Sequence, residues 1–116
     1  MRSEELARSV DTLSSSAAEG SLLARDVARG RTKTTFARVH ARELGDTVDH
    51  EAEKLADATP SQGIGGRKAA AVRLAGEISQ ALGDLQVRPD NRNTGRDAAE
   101  RLDDLGRRAT RLSESL

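Results

Sequence analysis

The 116-residue sequence predicts an all-α fold, an antiparallel up-down bundle of four helices arranged as two helical hairpins. Four segments carry apolar residues at alternating steps of three and four, which is the spacing of one helix face. Polar stretches of roughly three to nine residues separate these segments, as in antiparallel neighbours. No segment alternates between apolar and polar residues for long enough to predict a strand. The length predicts one domain over residues 1–116.

The first helix is predicted over about residues 3–29 because one apolar stripe persists for three heptads. The stripe contains Leu6, Val10, Leu13, Ala17, Gly20, Ala24 and Val27. Ser3 stands directly before Glu4 and Glu5, which predicts an N-cap followed by acidic residues in the first turn. Arg29 and Gly30 close the segment with a basic residue near the negative helix end and a C′ glycine.

The second helix is predicted to begin at a cap supplied by Thr32 or Thr34 and to end before Pro60. Its apolar stripe contains Ala37, Ala41, Leu44, Val48, Ala52 and Leu55. The stretch 59–66 contains Pro60 and three glycines and is predicted to be a loop.

The third helix is interrupted by Gly76 and Gly83, each of which costs up to about 1 kcal/mol relative to alanine. Its predicted core face contains Ala71, Leu74, Ile78, Leu82 (or Ala81) and Leu85. A polar connection is predicted over 87–95, and the fourth helix follows Thr94. Its stripe contains Ala98, Leu102, Leu105, Ala109, Leu112 and Leu116. Acidic residues come early in this helix and arginines late, which complements the helix dipole.

The predicted core layers contain leucine and many alanines. Burial stabilises by roughly 25 cal/mol per Å², and an alanine buries little area. We therefore expect a marginally stable monomer, for which self-association would add buried surface.

Composition excludes several classes of function. The chain has 19 basic and 19 acidic side chains, and this balance argues against a general binder of nucleic acid or anionic membranes. The absence of cysteine excludes disulfides, thiol nucleophiles and thiolate metal sites, and a single aromatic residue leaves no stacking platform for bases or flat cofactors. No apolar run approaches the roughly 18 residues of a membrane span, and no apolar signal segment follows Met1. We expect a cytoplasmic protein, and the excess of arginine over lysine fits a bacterial, GC-rich genome.

One face of the second helix carries apolar residues away from the core stripe. At about 100° per residue, Phe36, Val39, His40, Glu43 and His50 gather on one arc of the helix surface. A small patch of this kind predicts a docking surface for a protein partner or a second copy of the chain. The alternative is that Phe36 and Val39 cover the edge of the core.

The turn between the first two helices is basic. Its positive side chains, here called the basic tip, are Arg25, Arg29, Arg31, Lys33 and Arg38. Free backbone N–H groups at the start of the second helix, together with Thr32, could hold a phosphate, a sulfate or a carboxylate. The candidate anion-binding residues are Arg29, Arg31, Thr32, Lys33 and Arg38. The segment lacks the second glycine and the preceding strand of a Walker A loop.

The histidines predict no metal site and no cofactor. His50 and Glu51 begin like the zinc motif His-Glu-x-x-His, but Lys54 stands where the second histidine belongs. The histidines are expected to form local ion pairs, such as Asp46 with His50. His40, on a four-helix bundle of this size, resembles the phosphorylated histidine of histidine phosphotransfer domains. That family has lysine and then glycine three and four positions later, where this chain has Glu43 and Leu44.

No serine occurs in a nucleophile elbow, and no pair of carboxylates is expected to face across a cleft. We therefore expect a non-enzymatic interaction or adaptor module with a protein partner and no small-molecule substrate. The alternatives are a phosphotransfer domain that uses His40 and an anion or nucleic-acid binder that uses the basic tip.

Overall fold

The computed structural model describes all residues from Met1 to Leu116 and confirms the predicted four-helix bundle. The helices are α1 (Ser3–Ala28), α2 (Thr34–Asp57), α3 (Gly65–Val87) and α4 (Arg92–Glu114). The bundle is 47 Å long. One cluster of 25 buried apolar residues forms the core. None of the four helices is long and apolar enough to cross a membrane.

The predicted stripes account for nearly all of this core. Every stripe position of α1 and α3 is buried, while Ala52 in α2 and Leu112 and Leu116 at the end of the chain are only partly buried. Helix α1 packs most extensively against α4, and α2 packs most extensively against α3. The contacts within the sequential hairpins, α1 with α2 and α3 with α4, are less extensive. The bundle therefore consists of two closely packed helix pairs that meet along looser seams.

Two glycines permit the closest approaches between helices. A Cβ atom at Gly95 would lie 2.6 Å from the Ala28 backbone nitrogen and 2.8 Å from the Ala24 carbonyl oxygen. A Cβ atom at Gly20 would lie 2.8 Å from Leu82 Cδ2 and 3.1 Å from Leu102 Cδ1. At Gly95 the crowding atoms belong to the α1 backbone, so this position requires glycine for the helices to pack as they do. At Gly20 they are the ends of leucine side chains, which would have to shift to admit a methyl group.

The C-terminus of α1 has the predicted glycine cap. Gly30 adopts a φ of 65°, and its N–H donates to the Val27 carbonyl oxygen at 3.1 Å. The Arg31 N–H donates to the Asp26 carbonyl oxygen at 2.8 Å, which completes a Schellman motif. This motif ends α1 and turns the chain towards α2.

The N-terminal caps differ from those predicted. Arg2 and Lys33 occupy the N-cap positions of α1 and α2, and neither side chain forms a capping hydrogen bond. Ser3 lies inside α1, and its hydroxyl donates to the Leu116 carbonyl oxygen at 2.9 Å. The predictions for Ser3 and for Thr32 or Thr34 were wrong because tertiary contacts and the preceding turn set where these helices begin.

Helices α3 and α4 both begin earlier than predicted. Gly65 and Gly66 are the first residues of α3 instead of the end of a loop. Helix α4 begins at Arg92 because the Asn91 side chain accepts a hydrogen bond of 2.9 Å from the Thr94 N–H. Asn91, and not Thr94, is therefore the cap. The earlier start leaves the first turn of α4 without an acidic residue, so the expected match to the helix dipole is weaker there.

The two chain termini meet the α2–α3 loop at one end of the bundle. The Met1 amino group donates to the Thr59 carbonyl oxygen, and the Ser61 N–H donates to the Met1 carbonyl oxygen at 2.9 Å. Ser3 connects the same region to Leu116. The turn around Gly30 lies at the opposite end, because antiparallel helices place alternate connections at opposite ends of a bundle.

A polar network joins α1 to α4. Asp103 accepts hydrogen bonds of 2.6 Å from the Ser21 hydroxyl and from Arg25 Nη2. The Ser21 hydrogen bond and the Arg25 guanidinium hold the pKa of the Asp103 carboxyl below its ordinary value. The network satisfies the buried Ser21 hydroxyl and places the Arg25 guanidinium against α4 instead of the α1–α2 turn.

Candidate functional site

The N-terminal third of α2 carries two exposed apolar side chains. Phe36 is 57% exposed and Val39 is 38% exposed. The nearby Ala37 and Ala41 are buried in the core. Residues three apart lie on neighbouring positions of a helix surface, so Phe36 and Val39 form one patch. Neither residue is among the buried or partly buried residues of the core cluster.

This patch borders a shallow hollow of about 300 Å³. Its lining residues are Phe36, Val39, His40 and Glu43. The rings of Phe36 and His40 are tilted by 60° with their centroids 5.4 Å apart, a usual geometry for a pair of aromatic side chains. We call these four residues the α2 patch. All four lie on the arc of α2 that helical spacing predicts for the patch.

The His40 ring has one unsatisfied polar atom. Its Nδ1 is buried and has no hydrogen-bond partner. Buried polar atoms without a partner are uncommon, and each costs about 1–3 kcal/mol. The hydrogen-bonding capacity of this nitrogen is therefore unused within the chain.

His50 is exposed but does not line the hollow. It lies ten residues beyond His40, which corresponds to about 15 Å along a helix. The expected ion pair between Asp46 and His50 does not form. His50 shares the face of the helix with these residues but not the hollow, and its part in a partner-binding surface stays a prediction.

The basic tip contains an arginine that the sequence analysis missed. The Arg92 guanidinium lies against Gly30, since a Cβ atom at Gly30 would approach Arg92 Nη2 to 2.6 Å. The up-down topology predicts that Arg92 lies near Gly30, because it places the start of α4 beside the end of α1. Arg25 in turn forms a salt bridge with Asp103. Arg29, Arg31, Lys33 and Arg38 are exposed, while Thr32 is half-buried.

The start of α2 is electrostatically unfavourable for a helix. Lys33 is the N-cap, no acidic residue lies in the first turn, and Lys54 is the basic residue of the last turn. Negative charge stabilises a helix N-terminus by about 0.3–1 kcal/mol, and an aspartate N-cap also accepts backbone hydrogen bonds. The start of α2 has free backbone N–H groups and exposed arginine and lysine side chains nearby, which would favour an anion. Anion binding there stays a prediction.

Lys33→Asp should therefore raise the free energy of unfolding by about 1 kcal/mol, because Lys33 has the extended backbone that an N-cap needs. Urea unfolding followed by far-UV circular dichroism measures the change. Lys54→Asp is the matched control: it makes the same change of charge in the last turn and should lower stability slightly. Equal effects of the two variants would contradict the cap assignment.

No group of three or more His, Asp or Glu side chains lies close enough together to hold a metal ion. The hollow of the α2 patch contains one imidazole and one carboxylate beside apolar side chains, and it is open on one side.

No protein-family model, no curated protein and no solved structure matches this chain with significant similarity.

Proposed function

We propose that this chain is a non-enzymatic interaction module that binds a protein partner through the α2 patch. The exposure of Phe36 and Val39 beside the hollow is the observation that carries the proposal. Exposed aromatic side chains are typical anchors of protein interfaces, since burying one removes a large apolar area from water. The partner would place an apolar side chain in the hollow.

The polar residues of the patch add directional contacts to this apolar anchor. Glu43 is exposed and accepts hydrogen bonds through its carboxylate. We therefore expect the partner to present a hydrogen-bond donor next to its apolar side chain. Lys33 of the basic tip lies three residues before Phe36 and would favour acidic residues at the edge of that partner.

Phe36→Asp should abolish partner binding without unfolding the chain, because the side chain is exposed and the new charge would have to be buried at the interface. Cross-linking followed by mass spectrometry, in extract of the cells that produce the protein, should identify a partner attached near α2. Leu22→Asp on α1 is the matched control, because Leu22 is 61% exposed and lies outside the α2 patch. A partner retained equally by wild type and both variants would contradict the proposal.

A further inference from the structure

A second surface of α2 carries charges that are unfavourable within one chain. Arg38, Arg42, Asp49 and Glu53 are exposed, and none of them forms an intramolecular salt bridge. Asp49 accepts one hydrogen bond of 2.6 Å from the Ser79 hydroxyl, which places this surface at the edge of α2 that adjoins α3. Two pairs of like charges lie four residues apart: Arg38 with Arg42, and Asp49 with Glu53. Like charges at this spacing destabilise a helix.

These four residues lie along one stripe. At about 100° per residue they fall within about 60° of one another around the helix axis. We call them the charged stripe. It lies on a different side of α2 from Phe36, so a molecule bound to the stripe would leave Phe36 accessible.

The charged stripe is self-complementary about the midpoint of the helix. Arg38 lies four residues after the first residue of α2, and Glu53 lies four residues before the last. Arg42 and Asp49 lie eight residues from the same two ends. An antiparallel copy of α2, related by a twofold axis at the midpoint, therefore places Arg38 opposite Glu53 and Arg42 opposite Asp49.

Gly45 lies beside this midpoint and has no packing role within the chain. A Cβ atom there would have no neighbour within 4 Å. Glycine inside a helix is less favourable than alanine, and at a crossing point it lets a second backbone approach closely. The position of Gly45 thus agrees with the axis that the charges define.

We propose that the charged stripe binds a second copy of this chain, with the two α2 helices antiparallel across a twofold axis beside Gly45. The contact is isologous, so each arginine-to-carboxylate pair occurs twice. Asp46 lies next to the axis and would meet its own copy, which is the one like-charge contact of this arrangement. Because the interface is polar and its pairs are exposed, we expect a weak dimer whose association depends strongly on salt.

Two complementary variants test this dimer. Variant A carries Arg38→Glu and Arg42→Glu, and variant B carries Asp49→Lys and Glu53→Lys. Each variant faces its own copy with like charges only, so self-association should weaken by at least about tenfold. An equal mixture of A and B restores attraction at all four pairs, and we expect a heterodimer in sedimentation equilibrium. The wild-type dimer should dissociate between about 0.01 M and about 1 M salt, as the Debye length falls from about 30 Å to about 3 Å.

Controls separate this inference from failure to fold and from the proposed function. Far-UV circular dichroism checks that both variants are folded. If either one unfolds, the single variants Arg42→Glu and Asp49→Lys take the places of A and B. Reversal of Arg96 and Arg111 to glutamate on α4, which does not contact α2, should leave association unchanged. A monomeric wild type at low salt, a dimer that survives in A and B, or a mixture that does not associate would each overturn the dimer. None of these results concerns Phe36, whose partner is tested by Phe36→Asp.

Discussion

Gly95→Ala should lower the free energy of unfolding by about 2–3 kcal/mol, although alanine is the better helix former. The added methyl group would meet the backbone of α1, at 2.6 Å from the Ala28 nitrogen and 2.8 Å from the Ala24 carbonyl oxygen. Backbone atoms cannot rotate away as the end of a side chain can. The start of α4 must therefore move away from α1, and the close contact between these two helices at Gly95 is lost.

Gly83→Ala is the matched control for this prediction. Gly83 also lies inside a helix, but a Cβ atom there would have no neighbour within 4 Å. Its replacement should raise stability by up to about 1 kcal/mol through helix propensity alone. Urea unfolding of both variants measures the difference. Stabilisation of similar size in both would show that α1 and α4 do not approach as closely as described.

Leu102→Ala should cost about 2–5 kcal/mol, a large share of the roughly 5–15 kcal/mol that stabilises a typical domain. Leu102 is fully buried, and its Cδ1 and Cδ2 atoms lie over Gly20 of α1. The core cluster includes ten alanines, so each leucine contributes a large part of the buried apolar area. A cavity at this position is surrounded by close-packed helices that cannot easily collapse into it.

A second substitution on the opposite wall tests this explanation. In wild type, a methyl group at Gly20 would lie 2.8 Å from Leu82 Cδ2 and 3.1 Å from Leu102 Cδ1. In Leu102→Ala the second contact is gone, and the end of the Leu82 side chain can move into the cavity to make room for the methyl group. Adding Gly20→Ala should therefore recover part of the lost stability, and the two changes should be strongly non-additive. Leu22→Ala, at an exposed position, should alter stability by no more than about 0.5 kcal/mol. Strict additivity would contradict direct contact between the two sites.

Apolar spacing was sufficient to predict the helices and most of the core. The stripes of α1 and α3 are wholly buried, as predicted. They were predictable because a spacing of three to four residues follows from local helix geometry alone. Helix starts were harder to predict. Asn91 and Thr94 are both residues that cap helices, and only the hydrogen bond between them shows which one occupies the cap. Ser3 forms a hydrogen bond to the far end of the chain, which local sequence does not reveal.

The candidate site was predictable to the extent that it lies on one helix. Helical spacing placed Phe36, Val39, His40 and Glu43 on one surface, and the structure brings these four together. It also included His50, because angular spacing ignores distance along the helix axis, and His50 lies outside the hollow. It missed Arg92 because that residue reaches Gly30 from another helix. The glycines show the same limit: composition does not distinguish Gly95, which is crowded, from Gly45, which is open.

The contacts among Met1, Ser3, Ser61 and Leu116 determine how the protein can be handled in experiments. They hold both termini at the end of the 47 Å bundle that lies farthest from Lys33 and Phe36. An affinity tag or fluorescent protein joined after Leu116 would therefore project away from the α2 patch. Protein immobilised through such a tag would present Phe36 to solution, so surface plasmon resonance could measure partner binding without steric interference from the support.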